Sequence, residues 1–309
     1  MCTIKVVVVQ TYSNPGDLAD NFSRAKHFIE LAHKANADFV VFPELYACGY
    51  IPNPDIWNYA EEGGGQTYFF LKEMARKYKI IIGMGYLAKD GDDFCNRYLI
   101  VDQKGQVLLN ADKDKSEAYI FKRGRGVHTV DTPYGRWGIG ICADNHFSSF
   151  IKYMQESRIN LMIMPHAMPI PKVSNGLISE KDKQRAEKDI KEFPGLIARL
   201  LGVPTIFANL VGECSPMIGI MGKMMTPDKY ILGGNSRIVD KTGEALGSSE
   251  NSEALIIADI AIDSESTEKE EIPNFDGWIQ DGSKLFRRLV FPIDLLSGLI
   301  YYRLNRRRT

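Results

Sequence analysis

Residues 4–10 are a β-branched run of strand length, and the segment after them places Leu18, Phe22, Ala25, Ile29 and Ala32 at helical spacing. The phrase of strand then helix repeats. Residues 37–42 form a second apolar run, 67–78 read as a helix and 79–86 as another buried strand. Such alternation predicts an α/β layer structure. Between Asn96 and Asp131 the pattern changes to short extended pieces, 97–101 and 107–109, with Gly105 at a turn. Local antiparallel pairing is expected there, and therefore mixed sheets. Further on, 137–142 reads as a strand, 147–156 as a helix, and 161–164 as a strand closed by Pro165. Residues 181–201 are a long helical stretch with Pro194 inside, which is expected to kink or divide it. Residues 203–208, 236–239 and 254–260 complete the strands. No linker-like stretch divides the chain and no repeat is visible, so one large domain is expected.

Composition narrows the class without naming a function. Hydrophobic residues make up 44% of the 309, and charged residues 25%, which excludes disordered and collagen-like chains. The net charge of −1 gives no footprint for nucleic acid. That total hides a segregation, because residues 244–276 carry ten acids and one lysine whereas 284–309 carry seven bases and one acid. Five scattered cysteines with no C-x-x-C argue against a disulfide framework or zinc site. The amino-terminal pattern is not that of an export signal and the longest apolar run is too short to span a bilayer, so a cytoplasmic protein is expected.

In α/β sheets, chemistry is expected just beyond the strand ends. Glu44 follows one buried strand immediately, and Cys142 ends another. Lys113 follows the Gly105 turn and a short strand, with Glu117 four residues later. A thiol, two carboxylates and an amine suffice for acyl transfer. One carboxylate takes the thiol proton, and the ammonium with a backbone N–H stabilises the oxyanion. Burial alone would raise the thiol pKa, so such a cysteine needs a base or cation beside it. Singly, each of these residues is as well explained by a core or surface role.

Their joint arrangement resembles the nitrilase superfamily of carbon–nitrogen hydrolases. Phe42-Pro43-Glu44-Leu45-Tyr46-Ala47-Cys48-Gly49-Tyr50 is similar to that family's F-P-E-L-x-x-x-G-Y, whose Glu is the general base. Gly105 followed by Lys113 resembles the segment whose Lys stabilises the tetrahedral intermediate, with Lys115 as a rival. The stretch from Asp131-Thr132-Pro133 to Ile141-Cys142-Ala143-Asp144 resembles the nucleophile block. Glu117-Ala118-Tyr119-Ile120-Phe121 is similar to the block of the second Glu, which positions substrate and supports the Lys. The resemblance implies a four-layer αββα sandwich with two mixed sheets over residues 1–262. Residues 263–309 are then a C-terminal extension, expected as a dimer arm. It further implies a cysteine-dependent hydrolase of small linear amides or N-carbamoyl compounds, without metal or organic cofactor, and a homodimer or higher oligomer paired through the helices beside the nucleophile strand. Nitrile hydrolysis, amide-forming acyl transfer and a catalytically silent scaffold are the alternatives on the same site.

Ala143 stands where the family commonly has Tyr or Trp, which opens space beside the thiol while keeping the backbone N–H. With Tyr50, Asn145 and His166 it makes up the expected substrate contacts. A Cys142–His146 dyad is disfavoured by its short spacing, because catalytic thiol and imidazole usually converge from distant segments. Met217, Met221, Met224 and Met225 fit a pocket rim or a core equally. The basic tail, 284–309, has an apolar face that could touch a membrane surface.

Overall fold

The computed structural model describes residues 2–124, 126–174, 178–263 and 269–307. The amino-terminal half supplies β1 (Cys2–Gln10), α1 (Leu18–Lys34), β2 (Phe39–Val41), α2 (Gln66–Tyr78), β3 (Ile81–Asp90), β4 (Asp93–Val101) and β5 (Val107–Asp112). Next come β6 (Thr129–Thr132), β7 (Gly135–Ile139), α3 (Ser148–Glu156), β8 (Leu161–His166), β9 (Pro169–Pro171), α4 (Glu180–Leu201) and β10 (Thr205–Asn209). The chain closes with β11 (Val211–Glu213), α5 (Gly219–Met224), β12 (Tyr230–Gly233), β13 (Arg237–Val239), β14 (Ala245–Ser248), β15 (Ala254–Ile262) and α6 (Phe291–Asn305).

Two six-stranded sheets result, in the orders β15-β1-β2-β3-β4-β5 and β14-β13-β10-β8-β7-β6. Each has a parallel centre, β1-β2-β3 in one and β7-β8-β10 in the other, flanked by antiparallel strands. The fold is thus α/β with two mixed sheets, as expected.

The apolar runs explain the layering. In β1, Val7 and Val9 face α1 and α2, while Ile4, Val6 and Val8 face the opposite sheet. A strand covered on both sides must be apolar at every position, so the run shows no alternation. Between the sheets Phe39 stacks on Trp137 with ring centroids 4.9 Å apart. On the far side Phe193 and Ile197 of α4 pack with Met162 and Met164 of β8. The order of layers is helices, sheet, sheet, helices.

Two local expectations change. Pro194 does not divide α4, which runs unbroken from Glu180 to Leu201. An interior proline costs about 3 kcal/mol, but Ile190, Phe193, Pro194 and Ile197 are all buried there. Each fully buried large side chain contributes about 1.5–3 kcal/mol, so the packing wins. The strand expected over 137–142 stops at Ile139, and Cys142 begins a 3-10 turn, Cys142–His146.

Candidate active site

Glu44 sits on a turn beyond β2 that lies directly on β3. Gly85 N–H donates to the Pro43 carbonyl at 3.2 Å, and Ala47 N–H to the Gly85 carbonyl at 3.1 Å. A Cβ on Gly85 would come within 2.2 Å of the Leu45 nitrogen, so only glycine lets the turn approach. The Glu44 side chain is completely buried. Its Oε1 accepts from Lys113 Nζ at 2.7 Å and from Asn96 Nδ2 at 2.8 Å. Oε2 has no hydrogen-bond partner among the described residues. Burial, reinforced by the charge of Glu117, holds this carboxyl above the ordinary glutamate range against the pull of Lys113 and Asn96. A base in this position is primed to gain a proton.

Lys113 follows the end of β5, and its N–H continues the ladder to the Asn96 carbonyl at 2.9 Å. Leu109, Ala111 and Lys113 are all buried at alternate positions, so the lysine lies on the strand's inward face. Its Nζ bridges Glu44 Oε1 and Glu117 Oε1, the latter at 2.8 Å. Burial alone would lower the ammonium pKa, but Glu117, Glu44 and the neighbouring Cys142 outweigh it and raise the pKa well above the lysine range. The ammonium is therefore permanent at neutral pH. Tyr50 Oη donates to the same Glu117 oxygen at 2.9 Å, which fixes that carboxylate from its other side. Lys115 lies elsewhere, its Nζ 5.0 Å from the centroid of the Phe147 ring.

Cys142 has φ of +46°, a left-handed conformation that strains any residue with a Cβ. Asn145 Nδ2 braces the turn through the carbonyls of Gly140 at 2.7 Å and Cys142 at 3.2 Å. A Cβ on Gly140 would stand 2.0 Å from Asn145 Oδ1, so that glycine makes room for the brace. Asp144 accepts from the Lys115 N–H at 2.7 Å and the Ile141 N–H at 3.1 Å, which ties the nucleophile turn to the lysine loop. Burial pushes the Asp144 carboxyl up to about 6. The Cys142 thiol is raised well above its ordinary value by burial first and by the Glu44 charge second; Lys113 and a hydrogen bond from the Ala167 backbone oppose this. At neutral pH the sulfur keeps its proton until a base takes it.

Of the other expected contacts, Asn145 is committed to bracing the turn. His166 is buried, with Nδ1 3.1 Å from the Met164 carbonyl and Nε2 without a hydrogen-bond partner among the described residues. Burial drives the His166 pKa well down, so its ring is neutral. His146 stacks on Phe193 at 4.3 Å, and burial lowers its pKa to about 4.

The profile of the carbon–nitrogen hydrolase family matches residues 5–268. The chain belongs to that family. It is 26% identical over 274 residues to 2-oxoglutaramate amidase of Bacillus subtilis, covering 84% of this chain and 92% of that one. Among solved structures it resembles Saccharomyces cerevisiae Nit3 with a TM-score of 0.65 and 26% identity, covering 83% and 89% of the two chains. A carbon–nitrogen hydrolase from Helicobacter pylori shares the fold with a TM-score of 0.71 at 20% identity, covering 84% and 90%.

Several residues of this hydrolase's site carried no flag in the sequence. Asn96 is a polar position inside an apolar strand, the informative kind of exception. His128, nearly fully buried, has Nε2 3.1 Å from Asp114 Oδ1 and Nδ1 3.2 Å from the Ile139 carbonyl, pinning the loop after Lys113 to β7. The largest surprise is the carboxyl-terminal segment. Ile279 N–H donates to the His146 carbonyl at 3.0 Å, and Ser148 N–H to the Gly277 carbonyl at 2.9 Å, so the segment clamps the end of the nucleophile turn. From there α6 crosses to β4, where Tyr302 Oη accepts from Phe94 N–H at 2.9 Å. The acidic and basic stretches meet here, Arg287 pairing with Asp276 and Asp281 at 3.5 and 3.0 Å. The extension thus packs on its own chain and walls a cleft of about 220 Å³ bordered by Glu117 and Ala143.

Proposed function

We propose that this hydrolase cleaves small linear amides through a thioester on Cys142, in the cytoplasm and without a cofactor. Cys142 Sγ attacks the carbonyl carbon while Glu44 Oε2, the oxygen without a partner, takes the thiol proton. Lys113 Nζ and the Ala143 N–H hold the oxyanion. Collapse breaks the C–N bond as Glu44 returns the proton to the leaving amine. Water then attacks the thioester, again giving its proton to Glu44, and the C–S bond breaks to release the acid and the thiol. Glu117, held by Tyr50, keeps the Lys113 ammonium in place, and His166 is a candidate substrate contact through its free Nε2. The observation that carries this reading is the buried Lys113 bridge between two carboxylates beside a thiol held in a left-handed turn. The amidase name of the Bacillus relative, aligned over 84% of this chain, supports the amide reading.

Incubating the protein with a panel of primary amides and N-carbamoyl compounds is expected to release ammonia and to give an acyl mass increment on Cys142 in intact-mass spectra. Ammonia release with no adduct on Cys142 in rapidly quenched samples, even at saturating substrate, would sink the thioester route. Added amines trapped as new amides would show a transferase instead.

We also propose that the protein assembles as a homo-oligomer through α3 and α4, and that α6 rests on an anionic membrane surface. Leu285, Leu289, Ile293, Leu296, Ile300 and Leu304 form an outward stripe, each between 47% and 66% exposed. Lys284, Arg288, Arg303 and Arg307 are exposed beside it, Arg288 paired with Asp276 at 2.9 Å and Arg307 with Asp92 at 3.0 Å, and the lone acid of residues 284–307, Asp294, turns inward to the Ile220 N–H at 2.7 Å. A second copy of this face would oppose like charges, whereas anionic headgroups complement them. No helix among the described residues is long and apolar enough to cross a membrane. Vesicles containing phosphatidylserine are expected to sediment the full chain and to lose it on the double substitution Leu289→Glu and Leu296→Glu. Equal sedimentation of both proteins, or a solution dimer that the substitutions dissociate, would overturn the membrane assignment.

A further inference from the structure

The cleft beside the catalytic groups has an apolar character that a site for the smallest amides does not need. Phe147, Met217, Ile218, Trp278, Phe291 and Leu295 are among the apolar side chains of its walls, and Glu117 and Ala143 stand at its catalytic end. Three of the six belong to the segment beyond residue 268, where the match to the family profile stops. Half of these apolar side chains therefore lie outside the part of the chain that the family profile matches. The aromatic part is tightly set, with the Phe147 and Trp278 rings 4.6 Å apart and the Trp278 and Phe291 rings 5.2 Å apart. Asp294, which also lines the cleft, is occupied by Tyr119 Oη at 3.2 Å and the Ile220 N–H. Lys115 lies against the Phe147 ring, and Arg123 is exposed at the rim. The enclosed surface is left to the apolar walls.

The two sides of the reacting carbonyl are unequal. Glu44, which must protonate the leaving amine, is completely buried and held by Lys113 and Asn96, an enclosure that favours a small leaving group. Glu117, bonded to Lys113, and Ala143, next to Cys142, border a cleft of about 220 Å³, many times the ~15 Å³ that admits one water. Bulk in the substrate belongs on this acyl side, and the small side chain of Ala143 leaves the path clear.

We propose that the cleft is an acyl subsite, and that the substrates are primary amides of medium-length aliphatic or aryl-aliphatic acids. This rests on the amide-hydrolase reading above and names its substrate class. Burying each methylene on such walls corresponds to about a fourfold gain in kcat/KM.

The test is kcat/KM for straight-chain primary amides from acetamide to hexanamide, measured on the full chain. A rise of about two- to fourfold per carbon is expected, and a flat or falling series overturns the proposal while leaving the hydrolase intact. Trp278→Ala and Leu295→Trp probe the wall from opposite directions, by loss of contact and by filling. Each is expected to lower the hexanamide-to-acetamide ratio at least fivefold, about 1 kcal/mol at RT of about 0.59 kcal/mol. Because both substrates are read on one preparation, partial misfolding cancels; an unchanged ratio in both variants overturns the role of the carboxyl-terminal wall. Binding of hexanoate against acetate to Cys142→Ala, by calorimetry, reads the cleft without turnover. Tighter hexanoate binding supports the subsite even if the catalytic reading fails, and equal binding rejects it.

Discussion

Cys142→Ala is expected to abolish amide turnover, a loss on the order of 10⁶-fold for a nucleophile that works as part of a unit. Glu44→Gln, which keeps the thiol, should reduce kcat/KM by about 10²–10⁴-fold. The two losses have different signatures in pH. Glu44 acts as its carboxylate, and burial with the Glu117 charge holds its pKa above the ordinary glutamate range. Activity is therefore lost as pH falls through that raised pKa, and the acid limb of kcat/KM should lie above the usual carboxylate titration. On the alkaline side Lys113 stays an ammonium, because Glu117, Glu44 and Cys142 together outweigh the burial that would lower its pKa. The thiol is raised by burial and by Glu44, so its own ionisation does not drive the rate near neutrality. A plateau from the acid limb through neutral and into mildly alkaline pH is expected. In Glu44→Gln the acid limb should disappear from whatever activity remains. A Glu44→Gln enzyme with the wild-type limb would move the role of base to another group.

What was legible in the sequence follows from where each signal is stored. The layers could be read because burial on both faces leaves uninterrupted apolar runs in β1 and β8, and burial on one face leaves periodic ones in α1. Glu44 and Cys142 could be found because each sits on a turn just beyond a buried strand, although the Gly85 that lets the Glu44 turn approach lies on another strand. Lys113 against Lys115 was ambiguous by motif and by period alike, since both continue the alternation of Leu109 and Ala111; it is the end of β5 at Asp112 that keeps Lys113 on the inward face and lets Lys115 turn away. Asn96 was missed because its partner Glu44 is 52 residues away and no local pattern joins them. The proline in α4 misled because its cost is local and the burial that offsets it is tertiary. The charge segregation near the end was visible, but not its geometry. The two stretches pair partly with each other, folding the tail over the nucleophile turn of its own chain. Only a long-range contact could show that, since a charge run reads the same whether it meets solvent, a second subunit or its own neighbour.

Lys113→Met should expose how much of the site's stability depends on one cation. The substitution keeps an unbranched chain of similar length and removes the charge that bridges Glu44 and Glu117. Breaking a buried pair by deleting one partner costs about 3–5 kcal/mol, because the remaining charge is left without compensation. Two carboxylates share this cation, and one of them, Glu44, is wholly enclosed. Unfolding by denaturant at neutral pH is therefore expected to show a loss near that range. Its pH dependence identifies the cause. Without the ammonium the Glu44 pKa in the folded state rises further above its unfolded value, so the folded protein binds more protons between those two pKa values. Stability of the variant should then increase as pH is lowered through the folded pKa towards the unfolded one, and the gap to wild type should narrow. A hydrophobic packing defect would instead give a gap independent of pH. Turnover should be lost at every pH, since the lysine also serves the oxyanion, and one such donor is worth about 3 kcal/mol or 10²–10³-fold. A variant that recovers stability in acid yet remains inactive there would separate the two tasks of Lys113, holding the carboxylates together and stabilising the tetrahedral intermediate. If the gap in stability is below about 1 kcal/mol at neutral pH, Glu44 is protonated in the folded enzyme and the base assignment fails with it.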